Sequence, residues 1–150
     1  MFDRVVHIGV TITNMDRSIK FYRDILGLKF EGELVMEGKE TDVLFQRENT
    51  KVRVAYLNSS KDLQGPPVEL LQFIDQDVNM EKSDLFKTSI SEICFMVKDI
   101  DKTYKRLLSL GVEFLSEPQF FDFTKDGFSK SKAVYFKDPD GIILELMQYL

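Results

Sequence analysis

Residues 6–20, VHIGVTITNMDRSIK, show a pattern that returns 85 residues later as SEICFMVKDIDKTYK, residues 91–105, and this repeat indicates the fold. Each stretch begins with β-rich apolar residues and continues into polar residues that can cap a following helix. A second pair follows in the same order, with VELLQ at residues 68–72 and LELMQ at residues 144–148. The chain is therefore predicted to contain two copies of one structural module.

The first copy is predicted to be a βαβββ module with irregular breaks in its strands. Asn14 or Asp16 caps its helix, whose apolar side chains recur at helical spacing, and Gly27 ends it. A polar loop is expected over residues 58–66. The predicted strands lie near residues 5–12, 28–36, 41–47, 51–57 and 67–74.

The second copy is also predicted to be a βαβββ module. Asp99 or Asp101 opens a helix over residues 99–110, and Gly111 closes it. The sequence DPDG at 138–141 predicts a tight turn, because Pro fixes φ and Gly tolerates a positive φ. The predicted strands lie near residues 91–97, 112–118, 130–137 and 142–149.

Together the two modules predict an α+β fold, with one curved, mostly antiparallel sheet and helices outside it. A chain of 150 residues has the size of one domain. We expect a single domain over 1–150, with module one at about 1–75, a linker at about 76–88 and module two at about 89–150.

The composition of the chain bears on its binding partners and on its cellular compartment. A net charge of −5 disfavours nucleic acid, whose binders usually have a basic face. The sequence contains no apolar run of the roughly 18 residues that a membrane span needs. Cys94 is the only cysteine, which excludes an internal disulfide and favours the cytoplasm. We read it as a packed thiol and not as a nucleophile.

Four polar residues occupy matched positions in otherwise apolar strands: His7 and Glu92 in the first strands, and Glu69 and Glu145 in the last. Taken singly, each has an ordinary interpretation, as a histidine bonded to backbone or a glutamate on a solvated sheet face. Taken together, they suggest one shared site where the two copies meet. Three converging carboxylates would repel one another, and a divalent metal ion would relieve this by leaving a net charge of −1.

The chain resembles the vicinal oxygen chelate superfamily, which includes glyoxalase I, methylmalonyl-CoA epimerase, extradiol dioxygenases and bleomycin- and fosfomycin-resistance proteins. The resemblance lies in His7 followed by NMDRSIKFY at 14–22 and LGL at 26–28, and in DPDGIILEL at 138–146. It implies metal ligands at His7, Glu69, Glu92 and Glu145, and also a homodimer. Many relatives have His where this chain has Glu92, so the metal could be Zn, Ni, Mn, Co or Mg.

The pattern of site residues is most similar to those of glyoxalase I and methylmalonyl-CoA epimerase. The resemblance therefore implies a metal-dependent lyase, isomerase or epimerase. Such an enzyme moves a proton next to a carbonyl through a metal-bound enediolate, with Glu145 as the first choice of base and Glu69 as the second. Extradiol dioxygenases need two histidines, and this chain has one. The alternative function is a binding or resistance protein of the same fold that sequesters a drug or antibiotic without catalysis.

Two further features bear on the small-molecule substrate. Relatives that use glutathione carry an Arg and an Asn where this chain has Thr11 and the run Leu71-Gln72-Phe73, so we expect a different substrate. The segment 118–128 contains Phe120, Phe121, Phe123 and Phe128. It is interpreted as a lid or wall of an apolar pocket, as a subunit contact or as core.

Overall fold

The computed structural model describes residues 5–58 and 66–150, and its internal contacts divide the chain into two compact units, Met1–Met80 and Glu81–Leu150. The described residues form two four-stranded sheets, one in each unit. The predicted α+β class is confirmed. The helices in the described ranges are all too short or too polar to cross a membrane.

The first unit has the sheet order β1-β4-β3-β2. The first strand pairs in parallel with the last, and the other two pairs are antiparallel, so the sheet is mostly antiparallel as predicted. Its elements are β1 (Ile8–Thr11), α1 (Met15–Lys20), a π-helical turn (Phe21–Ile25), β2 (Lys29–Glu37), α2 (Lys39–Phe45), β3 (Lys51–Asn58) and β4 (Val68–Phe73).

The second unit repeats this topology with the order β5-β8-β7-β6, again with a parallel outer pair and two antiparallel pairs. This unit is the predicted βαβββ module. Its elements are β5 (Ile93–Met96), α3 (Ile100–Ser109), β6 (Gln119–Asp122), a 3-10 turn (Thr124–Asp126), β7 (Lys130–Lys137) and β8 (Ile143–Tyr149).

The duplication extends to individual hydrogen bonds at the helix starts. Asn14 caps α1 by accepting from the backbone N–H of Arg17, and Asp99 caps α3 by accepting from that of Lys102. A glutamine on the last strand of each unit also reaches a helix start. Gln72 Oε1 accepts from the Met15 N–H at 3.0 Å, and Gln148 Oε1 accepts from the Ile100 N–H at 2.8 Å.

Each sheet has its own apolar core on one face. In β4, Val68 and Leu70 are buried on either side of Glu69, and in β8 Leu144 and Leu146 flank Glu145 in the same way. Side chains alternate between the faces of a strand, so each glutamate points away from the apolar side chains beside it. Each of these two glutamates therefore lies on the face of its sheet opposite the apolar core.

The strand predicted near 41–47 is wrong, because residues 41–45 belong to helix α2. Gly38, at φ 98°, breaks the extended path after β2, and the helix begins at the next residue. Phe45 then packs edge-on against Phe73, with ring centroids 5.3 Å apart. The short apolar run Val43-Leu44-Phe45 is compatible with a strand as well as with a helix, and tertiary packing selects the helix.

The strand predicted near 112–118 is also misplaced. Within the described residues it is reduced to a single bridge between Phe114 and Phe136, and the strand itself begins at Gln119. Pro118 lacks the N–H that a continuous ladder needs, which accounts for the shift. The DPDG turn is confirmed, since the Gly141 N–H donates to the Asp138 carbonyl and Gly141 has φ 82°. Most of the predicted loop over 58–66 lies outside the described residues.

Candidate metal site

In the first unit the structure brings His7 and Glu69 together. His7 lies immediately before β1, and its Nε2 is 3.3 Å from Oε2 of Glu69. The His7 side chain is 42% exposed, whereas that of Glu69 is only 11% exposed. The pair therefore combines an accessible imidazole with a carboxylate that is largely withdrawn from water.

A third side chain, Tyr56, completes this group. Its hydroxyl donates to Oε1 of Glu69 at 2.6 Å. This hydrogen bond, together with burial and the charge of Glu69, raises the pKa of Tyr56 to about 12. Tyr56 is thus a neutral donor at any ordinary pH, and each oxygen of Glu69 has its own neighbour.

Strand register explains why these groups meet. Glu69 on β4 lies opposite Tyr56 on β3 and opposite Gly9 on β1. A Cβ on Gly9 would lie 3.4 Å from Oε2 of Glu69. Glycine therefore leaves open the space beside the oxygen that faces His7.

The equivalent positions of the second unit carry partly different side chains. Glu145 on β8 lies opposite Tyr135 on β7 and opposite Cys94 on β5, so Cys94 takes the place that Gly9 has in the first unit. Glu145 is buried, at 8% exposure. Glu92 stands two residues before Cys94, as His7 stands two residues before Gly9. The predicted equivalence of His7 with Glu92 and of Glu69 with Glu145 is therefore consistent with the strand registers.

The charges of Glu145 and Glu92 both act on Cys94 and Tyr135 in the second unit. Cys94 is an exposed residue, yet burial of its thiol, hydrogen bonding to Glu145 and the charges of Glu145 and Glu92 raise its pKa to about 12. Burial and the charges of Glu145 and Glu92 also raise the pKa of Tyr135. Cys94 is therefore a protonated thiol beside a carboxylate, which fits our reading of it as a group that is not a nucleophile.

The four predicted ligands thus form two local groups. His7 contacts Glu69 in the first unit, and Glu145 and Glu92 both act on Cys94 in the second. Across residues 5–58 and 66–150, it places no three His, Cys, Asp or Glu side chains so that they could hold one metal ion. Each unit by itself therefore holds two of the four predicted ligands.

The first pair fits a divalent cation well. Two adjacent ligands at bonds of about 2.0–2.2 Å to one ion lie about 3.0–3.5 Å apart for angles between a right angle and a tetrahedral one. The 3.3 Å separation of His7 Nε2 and Glu69 Oε2 falls in this range. The nitrogen and oxygen donors suit the metals that the sequence suggests.

Sequence reasoning missed Tyr56 and Tyr135. Both belong to short repeated patterns, VAYL at 54–57 and AVYF at 133–136, in the strand before each glutamate-bearing strand. That repetition is the signal that could have identified them. Among the phenylalanines of 118–128, Phe120, Phe121, Phe123 and Phe128 are all exposed, so they are not part of the core.

Comparison with known proteins identifies the class that this architecture represents. The sequence profile of the Glyoxalase/Bleomycin resistance protein/Dioxygenase superfamily matches residues 4–146, and the chain belongs to that superfamily. The resemblance predicted from the two end motifs is confirmed.

Individual relatives are distant. A probable lactoylglutathione lyase of Vibrio cholerae is 27% identical over 97% of this chain and 90% of its own. The metallothiol transferase FosB of Shouchella clausii is 24% identical over 97% of this chain and 80% of its own. The crystal structure of a glyoxalase family protein from Bacillus cereus is similar in fold, with a TM-score of 0.84, 20% identity and coverage of 100% of this chain and 96% of that one.

Proposed function

We propose that this protein is a divalent-metal-dependent lyase, isomerase or epimerase that moves a proton at a carbon next to a carbonyl group. The observation that carries the proposal is the His7–Glu69 pair at 3.3 Å, with its counterpart at the equivalent register of the second unit. Membership of the superfamily supports it, since the chain is similar to a probable lactoylglutathione lyase and to a metallothiol transferase.

The proposed metal ligands are His7, Glu69, Glu92 and Glu145. A neutral imidazole and three carboxylates around a divalent ion leave one negative charge, and this set of nitrogen and oxygen donors suits Zn, Ni, Mn, Co or Mg. Such an ion supplies Lewis-acid stabilisation of the negative charge that develops on substrate oxygen when the proton leaves carbon.

Glu145 is the proposed base and Glu69 the second choice. Both oxygens of Glu69 already have neighbours, the Tyr56 hydroxyl at 2.6 Å and His7 Nε2 at 3.3 Å. Glu145 lies beside a thiol, which is a weak donor and gives up its contact more readily. A carboxylate that is free to accept a proton from substrate carbon and return it fits the base role.

The proposed substrate is a small carbonyl or hydroxy-acid compound, or a thioester, other than a glutathione adduct. Gln72 follows Glu69 by three residues, and both ends of its amide are committed to the start of the first helix. Its Oε1 accepts from the Met15 N–H, and its Nε2 donates to the Thr13 carbonyl at 3.3 Å. It is therefore not free to hold a glutathione carboxylate.

The proposal includes a homodimer and a cytoplasmic location, supported by the family resemblance and by the lone cysteine. Nucleic acid and membrane are not proposed as partners, given the net charge of −5 and the helices described above. Sedimentation equilibrium tests the dimer.

Elemental analysis of protein purified without added ions, paired with a screen for proton exchange in D₂O, tests the function. We expect about one divalent ion per chain, as in other single-site metalloenzymes, and incorporation of deuterium next to the carbonyl of an α-hydroxy or α-keto substrate. Metal without exchange on any substrate would favour a binding protein. Absence of metal, with no gain when Zn²⁺, Ni²⁺ or Mn²⁺ is added, would favour the drug-sequestering alternative.

A further inference from the structure

The two units carry equivalent tyrosines that have different contacts. Tyr56 and Tyr135 both lie directly opposite the glutamate of the neighbouring strand. Tyr56 donates to Glu69 at 2.6 Å. Within residues 66–150, no hydrogen bond joins Tyr135 to Glu145, and the charge of Glu145 acts on Tyr135 without one. The strand pairing around the two glutamates is therefore the same, but in the described part of the chain only Glu69 accepts a hydrogen bond from its tyrosine.

The hydrogen bond from Tyr56 determines which oxygen of Glu69 faces His7. With Oε1 held by the hydroxyl, Oε2 is the atom that lies 3.3 Å from His7 Nε2. Glu69 is largely buried, so loss of the Tyr56 hydroxyl would leave Oε1 without its partner at a cost in free energy. The Tyr56 ring also lies near the imidazole, with centroids 6.1 Å apart.

We propose that Tyr56 is a positioning residue that holds Glu69 with one oxygen directed toward His7, and so prearranges this pair to bind a divalent ion. The inference rests on the proposed function, because it assigns Glu69 and His7 to the metal. Partners that orient metal ligands from behind commonly strengthen metal binding by about 10–100-fold. Glu145, which has no such tyrosine bond, keeps the freedom that a base requires.

Zinc affinity measured against a competing chromophoric chelator tests the proposal. Tyr56→Phe should weaken Zn²⁺ binding by about 10–100-fold, while its matched control Tyr135→Phe should leave the affinity unchanged. In a Glu69→Gln background, Tyr56→Phe should cause no additional loss, because Tyr56 acts through the Glu69 carboxylate. A purely structural role would weaken binding equally in both backgrounds.

A second readout uses the metal-free protein. His7 is the only histidine, so its ¹⁵N imidazole resonances are unambiguous. Tyr56→Phe should shift them at fixed pH, and Tyr135→Phe should not. Thermal melting checks that the variants are folded. Should Tyr56→Phe not fold, Tyr56→Met replaces it, since it also lacks the hydroxyl and should show the same loss of affinity.

The outcomes separate the two proposals. Wild-type protein that binds Zn²⁺ with the same affinity as Tyr56→Phe would overturn the role of Tyr56 and leave the proposed function standing. Wild-type protein that binds no Zn²⁺, Ni²⁺ or Mn²⁺ would overturn both the metal role and the proposed function. A selective loss in Tyr56→Phe that disappears in the Glu69→Gln background would support both.

Discussion

Cys94 lies directly opposite Glu145 on the neighbouring strand, in the register position where the first unit has Gly9 opposite Glu69. The two equivalent carboxylates therefore have different neighbours on the adjacent strand. The glycine leaves Oε2 of Glu69 open toward His7, and the cysteine places a thiol beside Glu145. Duplication has conserved the position of the carboxylate and allowed its neighbours to diverge.

The thiol of Cys94 should be unusually unreactive. Burial and the Glu145 carboxylate raise its pKa to about 12, so very little thiolate is present at pH 8. We expect the metal-free protein to react with iodoacetamide roughly 100-fold more slowly than free cysteine. Glu145→Gln should accelerate the reaction by removing the charge. In urea the same thiol should react like free cysteine; an equally fast reaction of the folded wild type would show that Glu145 does not act on Cys94.

Replacement of the proposed base should separate catalysis from folding. Glu145→Gln keeps the shape of the side chain, so the fold should be retained, while turnover on any substrate identified should fall by at least about 10²–10⁴-fold, the usual contribution of a positioned base. Steady-state kinetics and circular dichroism provide the two measurements. Glu117→Gln, at an exposed position, is the control. An active Glu145→Gln variant would transfer the base role to Glu69.

Stability at alkaline pH should depend on Tyr56. Its pKa is about 12 in the folded protein, against an ordinary value of 10.0. Below pH 10 the phenol is protonated in both states and its contribution is fully present. Between pH 10 and pH 12 the unfolded chain loses this proton first, so the free energy of unfolding falls as pH rises. Urea unfolding over this range should show a shallower fall for Tyr56→Phe.

The control for the alkaline experiment is Tyr149→Phe, which removes a phenol from an exposed side chain. Its unfolding curve should follow that of the wild type. If Tyr56→Phe also follows the wild type, the hydrogen bond from Tyr56 to Glu69 does not persist in solution.

The helix caps should contribute equally in the two units. Asn14→Ala and Asp99→Ala each remove a side-chain acceptor for a backbone N–H two to three residues into the helix. Each should lower the free energy of unfolding by about 0.5–2 kcal/mol, measured by urea denaturation. Asn14→Asp and Asp99→Asn exchange the two caps and should preserve most of the stability. A negligible cost for either alanine variant would show that the cap is replaced by water.

Much of the fold could be predicted because its signals are local. The caps Asn14 and Asp99, the glycines after each helix and the DPDG turn are encoded within a few residues, and each repeats or closes a module. Glu69 and Glu145 were identified because a carboxylate among apolar residues is conspicuous in a strand. These features need no knowledge of which strands pair.

The parts that were missed depend on contacts between distant residues. The helix α2 forms where Phe45 packs on Phe73, and Asp42 accepts from the Thr50 N–H at 2.7 Å, neither of which the short apolar run at 43–45 indicates. Tyr56 meets Glu69 only through the register of two antiparallel strands. Register is fixed by the pairing as a whole, so the hydroxyl could not be assigned to the carboxylate from spacing alone.

The most direct measurement of the central claim is a Zn²⁺ titration by calorimetry of the wild type, His7→Ala and Glu92→Ala. These substitutions remove equivalent residues from the first and second unit. We expect about one ion per chain for the wild type, as for a single metal site, and a marked loss of affinity in both variants. Binding that depends on His7 but is unaffected by Glu92→Ala, or a wild type that binds no ion, would contradict the claim that both units supply ligands to one metal ion.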